Sequence, residues 1–261
     1  MDFAVIGGQS GRVEIRHLDC AGDRQASAQK NKLKPWLKKQ WCIGTVTAEY
    51  VAAMEDVLDL YAADYDEQYP VVCFDETSKQ LITEARPRLA AASGTLERFD
   101  YEYKRGGVAN VFMFCEPKSG WRHIEVTERH TKRDFAEQMK WLVEEAFPEA
   151  KKIRLVMDNL STHSRGALYE RFEPEQARRI LRKLEFHFTP KHASWLNMAE
   201  IELSVLARQC LSRRIADKEK LKREVAAFED KRNTAKAKIE WKMTTTDARQ
   251  KLSRHYPSIL E

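Results

Sequence analysis

From Thr47 to Ala63 the apolar residues Val51, Met54, Val57, Leu58 and Tyr61 return at steps of three and four, which predicts an amphipathic helix. Past Tyr69 the pattern changes. Val71 to Phe74 is a short, unbroken β-favouring run, predicting a central strand that closes at Asp75. The stretch "FDYEYKRGGVANVFMFCEP" predicts two strands around a Gly106-Gly107 turn, and "WRHIEVTER" predicts a third. In "KRDFAEQMKWLVEEAF" the residues Phe135, Met139, Leu142, Val143 and Ala146 share one helical face, with Thr131 placed to cap it. "KIRLVMD" reads as a strand ending in Asp158. "PEQARRILRKL" reads as a basic helix with Pro174 in its first turn, and "EFHFTP" as another strand. "SWLNMAEIELSVLARQCL" carries the apolar stripe Leu196, Ala199, Leu203, Leu206 and Cys210 of a further helix. The segment 213–255, rich in Lys, Arg and Glu, is expected to be helical.

This order of elements predicts an α/β fold with a mixed sheet. Parallel strands of such a sheet finish along one edge, where sites form. Asp75 and Asp158 each follow a strand. If those strands are neighbours, both carboxylates emerge together. A third acid can come from the helix at 195–211, where Glu200 and Glu202 lie on opposite edges of the apolar stripe. Periodicity does not choose between them. Carboxylates held together repel, and a hard divalent cation such as Mg²⁺ removes the conflict. An aspartate behind a strand is also an ordinary turn former, so either one alone is a weak signal. Glu76 directly follows Asp75 and should point elsewhere, into a salt bridge or turn contact. His163 is open to two readings, a contact to a scissile phosphate or a packing role.

Composition narrows the function classes. The 261-residue chain is 43% hydrophobic, enough for a sizeable core, and has a formal net charge of +5. That is a mild bias towards polyanions. The five cysteines are far apart without a C-x-x-C pair, so reduced thiols are expected rather than disulfides or a thiolate metal site. No apolar run approaches the roughly 18 residues of a membrane span, and no basic leader precedes the N-terminus. Basic clusters recur. One of them combines Lys34, Trp36, Lys38 and Lys39 without acids, and another includes Arg178 and Arg182. Both are candidates for phosphate-backbone contact.

The segments "VVCFDETSKQL", "YEYKRGGVANVFMFCEP", "LVMDNLSTH" and "TPKHASWLNMAEIELSVLARQCL", in that order, resemble the mariner-like DDE transposases of bacterial insertion sequences, over roughly residues 32–257. The resemblance implies an RNase H-like fold, a mixed five-stranded sheet flanked by helices with an N-terminal helical arm. Together with the residue pattern it divides the chain into an arm or remnant domain at 1–69, a catalytic domain at 70–212 and a basic helical extension at 213–261. It selects Glu200 over Glu202, giving Asp75, Asp158 and Glu200 as catalytic and metal-binding acids, with Asn159, His163 and Asn197 in support. Two Mg²⁺ or Mn²⁺ ions, DNA ends and target as substrates, a homodimer on DNA and action at the bacterial nucleoid follow from it. No organic cofactor and no membrane are expected. Two features depart from the family pattern. The gap between Asp158 and Glu200 holds extra length in "SRGALYERFEPEQARR". Only about thirty residues precede "KLKPWLKKQWCI", and they do not read as helix-turn-helix. That second departure keeps an alternative open, a shortened DNA-binding remnant that inhibits full-length copies without cutting.

Overall fold

Five strands form one sheet in the order β3-β2-β1-β4-β5: β1 Val71–Glu84, β2 Tyr103–Glu116, β3 Trp121–Thr127, β4 Ile153–Met157 and β5 Leu184–Phe188. β1 runs antiparallel to β2, and β2 to β3; β4 is parallel to β1 and β5 to β4. The structure is a computed structural model that describes residues 46–98, 100–253 and 256. The expectations placed on Lys34, Trp36, Lys38 and Lys39 lie outside the described residues. Seven helices occur among the described residues. They are α1 Ala48–Ala62, α2 Lys132–Trp141, α3 Arg165–Arg171, α4 Pro174–Lys183, α5 Met198–Leu206, α6 Lys218–Thr234 and α7 Thr245–Lys251. α2 and α5 each continue into a π-helical turn, Leu142–Ala146 and Ala207–Leu211.

Period-two alternation along the strands sorts the core into two layers. Val72, Phe74, Phe112, Phe114, Leu155 and Met157 point to the layer of α2, α3 and α4, where they meet Phe135, Met139, Leu168 and Ile180. Cys73, Val111, Met113, Cys115 and Val156 point to the opposite layer, with Met54 and Leu58 of α1, Leu203 and Leu206 of α5, and Leu221 and Val225 of α6. The helix starts follow local chemistry. Thr131 and Asp134 form a reciprocal capping box, and Pro174 occupies the first turn of α4.

Two expectations about the strands need correction. β1 does not close at Asp75 but runs on to Glu84, because β2 pairs with it along that whole length. Only its partnership with β4 is short, covering Val71 to Cys73. Gly106 and Gly107 do not form a turn either. They lie inside the single strand β2, where Gln80 pairs with Val108 and Ile82 with Arg105, so two residues of β2 face Leu81 alone. That is a β-bulge, and Gly107 supplies the positive φ of 97° it needs.

The extra length between Asp158 and Glu200 is built into the core rather than laid on the surface. It forms α3 and α4, which bury Ala167, Leu168, Ala177 and Ile180. Arg171 is paired with Glu137 at 2.6 Å and Arg179 with Glu144 at 2.8 Å, both across to α2 and its continuation.

The tail is equally integrated. α6 covers the outer edge of β3 with side chains that act as a partner strand. Asn233 accepts from Arg122 N–H at 2.9 Å and donates to Arg122 C=O at 2.8 Å, and Glu229 accepts from Ile124 N–H at 2.8 Å. Unpaired edge groups are thereby satisfied, which blunts strand-to-strand association.

Candidate active site

The parallel register places Cys73 opposite Val156. Two residues further along the chain in each case stand Asp75, still within β1, and Asp158, just past the end of β4. Alternation turns Asp75 towards the layer that holds Cys73, Val156 and α5, whereas Asp158 reaches His163, which packs on Phe74 and Phe135 of the other layer. β4 ends at Met157, so Asp158 leaves the sheet at the point where the parallel ladder stops.

Asp75 is buried, 9% exposed. Its Oδ1 accepts from Glu76 N–H at 2.8 Å, and its Oδ2 accepts from the Asn197 amide at 3.1 Å. Burial pushes its pKa up to about 7; the Glu76 amide opposes this, while the charges of Glu200 and Asp158 add to it. Asp158 goes the other way. The His163 hydrogen bond at 2.7 Å holds it below the usual carboxylate range. The two aspartates that follow the parallel-paired run are therefore driven apart in acidity by their surroundings.

Packing treats the two candidate glutamates of α5 differently. Glu202 is fully buried and bound by Arg122, itself fully buried, at 2.9 Å, with Arg232 as a second partner. It is consumed by the structural core. Glu200, one turn after the N-cap Asn197, is exposed in the first turn of α5. Its pKa is raised by partial desolvation and then by the charge of Asp158. The fold thus brings Asp75, Asp158 and Glu200 within electrostatic reach of one another and holds Glu202 in buried ion pairs.

Among the supporting residues, Asn197 is buried and links Asp75 to α5. Asn159 is exposed beside Asp158. His163 is buried against Phe74 and Phe135, which favours the packing reading, and it touches both Asp158 and Glu76. Glu76 takes the salt-bridge role that its position beside Asp75 implied. Arg178 and Arg182 are exposed on α4. Sequence reasoning missed Arg122, the residue that neutralises Glu202, because nothing in "WRHIEV" distinguishes a buried guanidinium from a solvated one.

Among the described residues no three His, Cys, Asp or Glu side chains are drawn tightly enough to enclose a metal ion. Three mutually repelling carboxylates, with oxygen donors throughout, nevertheless suit a hard divalent cation that retains water and substrate oxygens. No helix among the described residues is long and apolar enough to cross a membrane.

A family profile described as DDE superfamily endonuclease matches residues 70–222, more than half of the chain. The chain belongs to this family. The matched span of this DDE-family chain runs from the start of β1 into α6 and contains all three acids. Solved structures of the Mos1 mariner transposase share the fold. The paired-end complex with Mn aligns at 12% identity with a TM-score of 0.50, over 89% of this chain and 78% of the other. The strand-transfer complex aligns at 10% identity and TM-score 0.50, over 90% and 82%. The pre-cleavage transpososome aligns at 10% identity and TM-score 0.50, over 90% and 83%. The mixed five-stranded sheet flanked by helices thus has the fold seen in the Mos1 transposase structures. No curated protein sequence matches the chain.

Proposed function

We propose that this DDE-family chain is the catalytic core of an insertion-sequence transposase, in which Asp75, Asp158 and Glu200 hold two Mg²⁺ or Mn²⁺ ions for DNA cleavage and strand transfer. The observation that supports the reading is that Asp75 and Asp158 each follow the parallel-paired run of β1 and β4, with Glu200 near enough for its charge to raise the Asp75 pKa and Glu202 held in a buried ion pair. Divalent ions at such a site would supply an activated water or 3′-hydroxyl and charge stabilisation for the leaving oxygen of a phosphodiester. Asn197 orients Asp75 and ties it to the first turn of α5. His163 orients Asp158. Burial keeps a proton on Asp75 up to about pH 7, so metal binding must displace that proton.

The Mos1 relatives were solved as a paired-end complex with Mn and as a strand-transfer complex, which supports a divalent metal and two DNA ends for this chain as well. Joining two ends calls for two copies on DNA. Nicking of supercoiled plasmid in Mn²⁺ tests the reading. The wild type is expected to convert plasmid to open circles, and Asp158→Asn to fall to background while melting as a folded protein. Cutting by Asp158→Asn at the wild-type rate would refute the site. Metal-independent binding without any cutting by the wild type would return the chain to the inhibitory-remnant reading.

A further inference from the structure

The imidazole of His163 stands between two carboxylates. Nδ1 is hydrogen-bonded to Asp158 Oδ1 at 2.7 Å, and Nε2 lies 3.0 Å from Glu76 Oε2 in an ion-pair contact without hydrogen-bond geometry. The ring is 3% exposed, edge-on to Phe74 with centroids 5.2 Å apart and tilted on Phe135 at 5.0 Å. Glu76 is the chain neighbour of Asp75, yet strand alternation sends it to the opposite face of the sheet, the face where His163 packs. One strand thus contributes Asp75 to one layer and the anchor of His163 to the other.

This has a consequence for Asp158. Its Oδ1 meets His163 and also the Leu160 N–H at 3.3 Å, so that oxygen is committed to the protein. Oδ2 remains. Both nitrogens of His163 face carboxylates, which leaves neither as a ligand. We propose that His163, anchored by Glu76, is a positioning residue that locks the Asp158 carboxylate in one rotamer and presents Oδ2 alone to the metal. This rests on the active-site reading above. It gives Glu76 a part in the site without contact to metal or DNA. It also explains why a buried histidine sits five residues beyond an aspartate that has already left its strand. Asp158 has no strand partner to hold it, and the side-chain bridge to β1 takes that place.

Mn²⁺ binding to the full-length protein, read by electron paramagnetic resonance, tests this alongside the Mn²⁺ dependence of plasmid nicking and a thermal melt. His163→Leu keeps bulk and removes both ring nitrogens. It should weaken Mn²⁺ binding by about 10-fold or more, the scale of outer-sphere partners of metal ligands. His163→Asn, whose amide nitrogen takes the place of Nδ1, should recover most of that loss. His163→Gln, whose amide extends towards Nε2, should not. Glu76→Gln should weaken Mn²⁺ binding by a smaller factor, on the order of 3-fold. Wild-type affinity in a folded His163→Leu protein overturns the proposal, as does an equal loss in the Leu and Asn variants, which would mean that the ring acts only by packing. If His163→Leu does not fold, the part-exposed Glu76→Gln decides, and unchanged Mn²⁺ affinity there rejects the proposal. Asp158→Asn separates the two levels. If it binds Mn²⁺ like wild type, the active-site reading itself fails. If it loses binding while the His163 variants do not, only the positioning role falls.

Discussion

Asn197 Nδ2 lies 3.1 Å from Asp75 Oδ2 and 2.9 Å from the Phe74 carbonyl, while its Oδ1 accepts from Ala199 N–H at 3.1 Å. One buried amide therefore caps the helix that carries Glu200 and orients the strand residue opposite it. Asn197→Ala should cost about 2–4 kcal/mol, combining a lost N-cap with buried groups left unpaired. Urea denaturation of the metal-free protein measures it. A loss under about 0.5 kcal/mol would show that the cap is dispensable.

Glu200 and Glu202 should separate cleanly. Glu200→Gln alters an exposed side chain and should leave the melting temperature near wild type while abolishing Mn²⁺-dependent nicking. Glu202→Gln leaves the fully buried Arg122 without its counter-charge and should cost about 3–5 kcal/mol. Paired melting and nicking measurements check both. The reverse pattern would mean the two residues have exchanged roles.

The metal-free protein should lose stability as pH rises. Asp75 has a folded pKa of about 7, above the ordinary carboxylate value. Its contribution is complete below the unfolded value near 4 and is lost as pH climbs through about 7. His163 is raised to about 9 by its two carboxylate partners, against the opposing effect of burial. Its contribution is complete below about 6.5 and is lost through about 9. Both slopes have the same sign. Denaturant titrations in EDTA should show the protein more stable at pH 6 than at pH 9. Asp75→Asn should flatten the part of the slope below pH 7. Mn²⁺ binding should tighten over the same lower window, as the Asp75 proton is released. A stability that rises between pH 6 and 9 would contradict the burial argument.

Gly120 has a φ of 80°, and a Cβ built there would lie 2.6 Å from the Lys236 backbone. The β2–β3 turn is thereby pressed against the segment that follows α6, which Ile239 N–H also fastens to Pro117 C=O at 3.0 Å. Gly120→Ala should destabilise the protein by about 1–3 kcal/mol through strain at this contact. Hydrogen exchange of Ile239 should accelerate with it.

The candidate acids and the elements that carry them were legible in the residues themselves. Apolar runs that stop at Asp75 and Asp158 mark the end of the parallel pairing, even though β1 continues past the first. The stripe from Leu196 to Cys210 placed both glutamates on its flanks. The cap at Thr131 and the proline of α4 are local chemistry, and local chemistry needs no tertiary context. The Gly106-Gly107 pair misled because glycine serves turns and bulges alike, and only the partner strand decides which.

The sequence by itself determined which segments alternate with period two, which recur with period 3.6, and where acids follow strands, because these depend on neighbours along the chain. The tertiary structure alone decided that Cys73 pairs with Val156, that Arg122 binds Glu202 in the core, and that Glu76 and Asp158 meet at His163. Each of those joins residues far apart in the chain or on opposite faces of the sheet, and the contact that fixes their roles exists only once the sheet has closed and its two layers have packed.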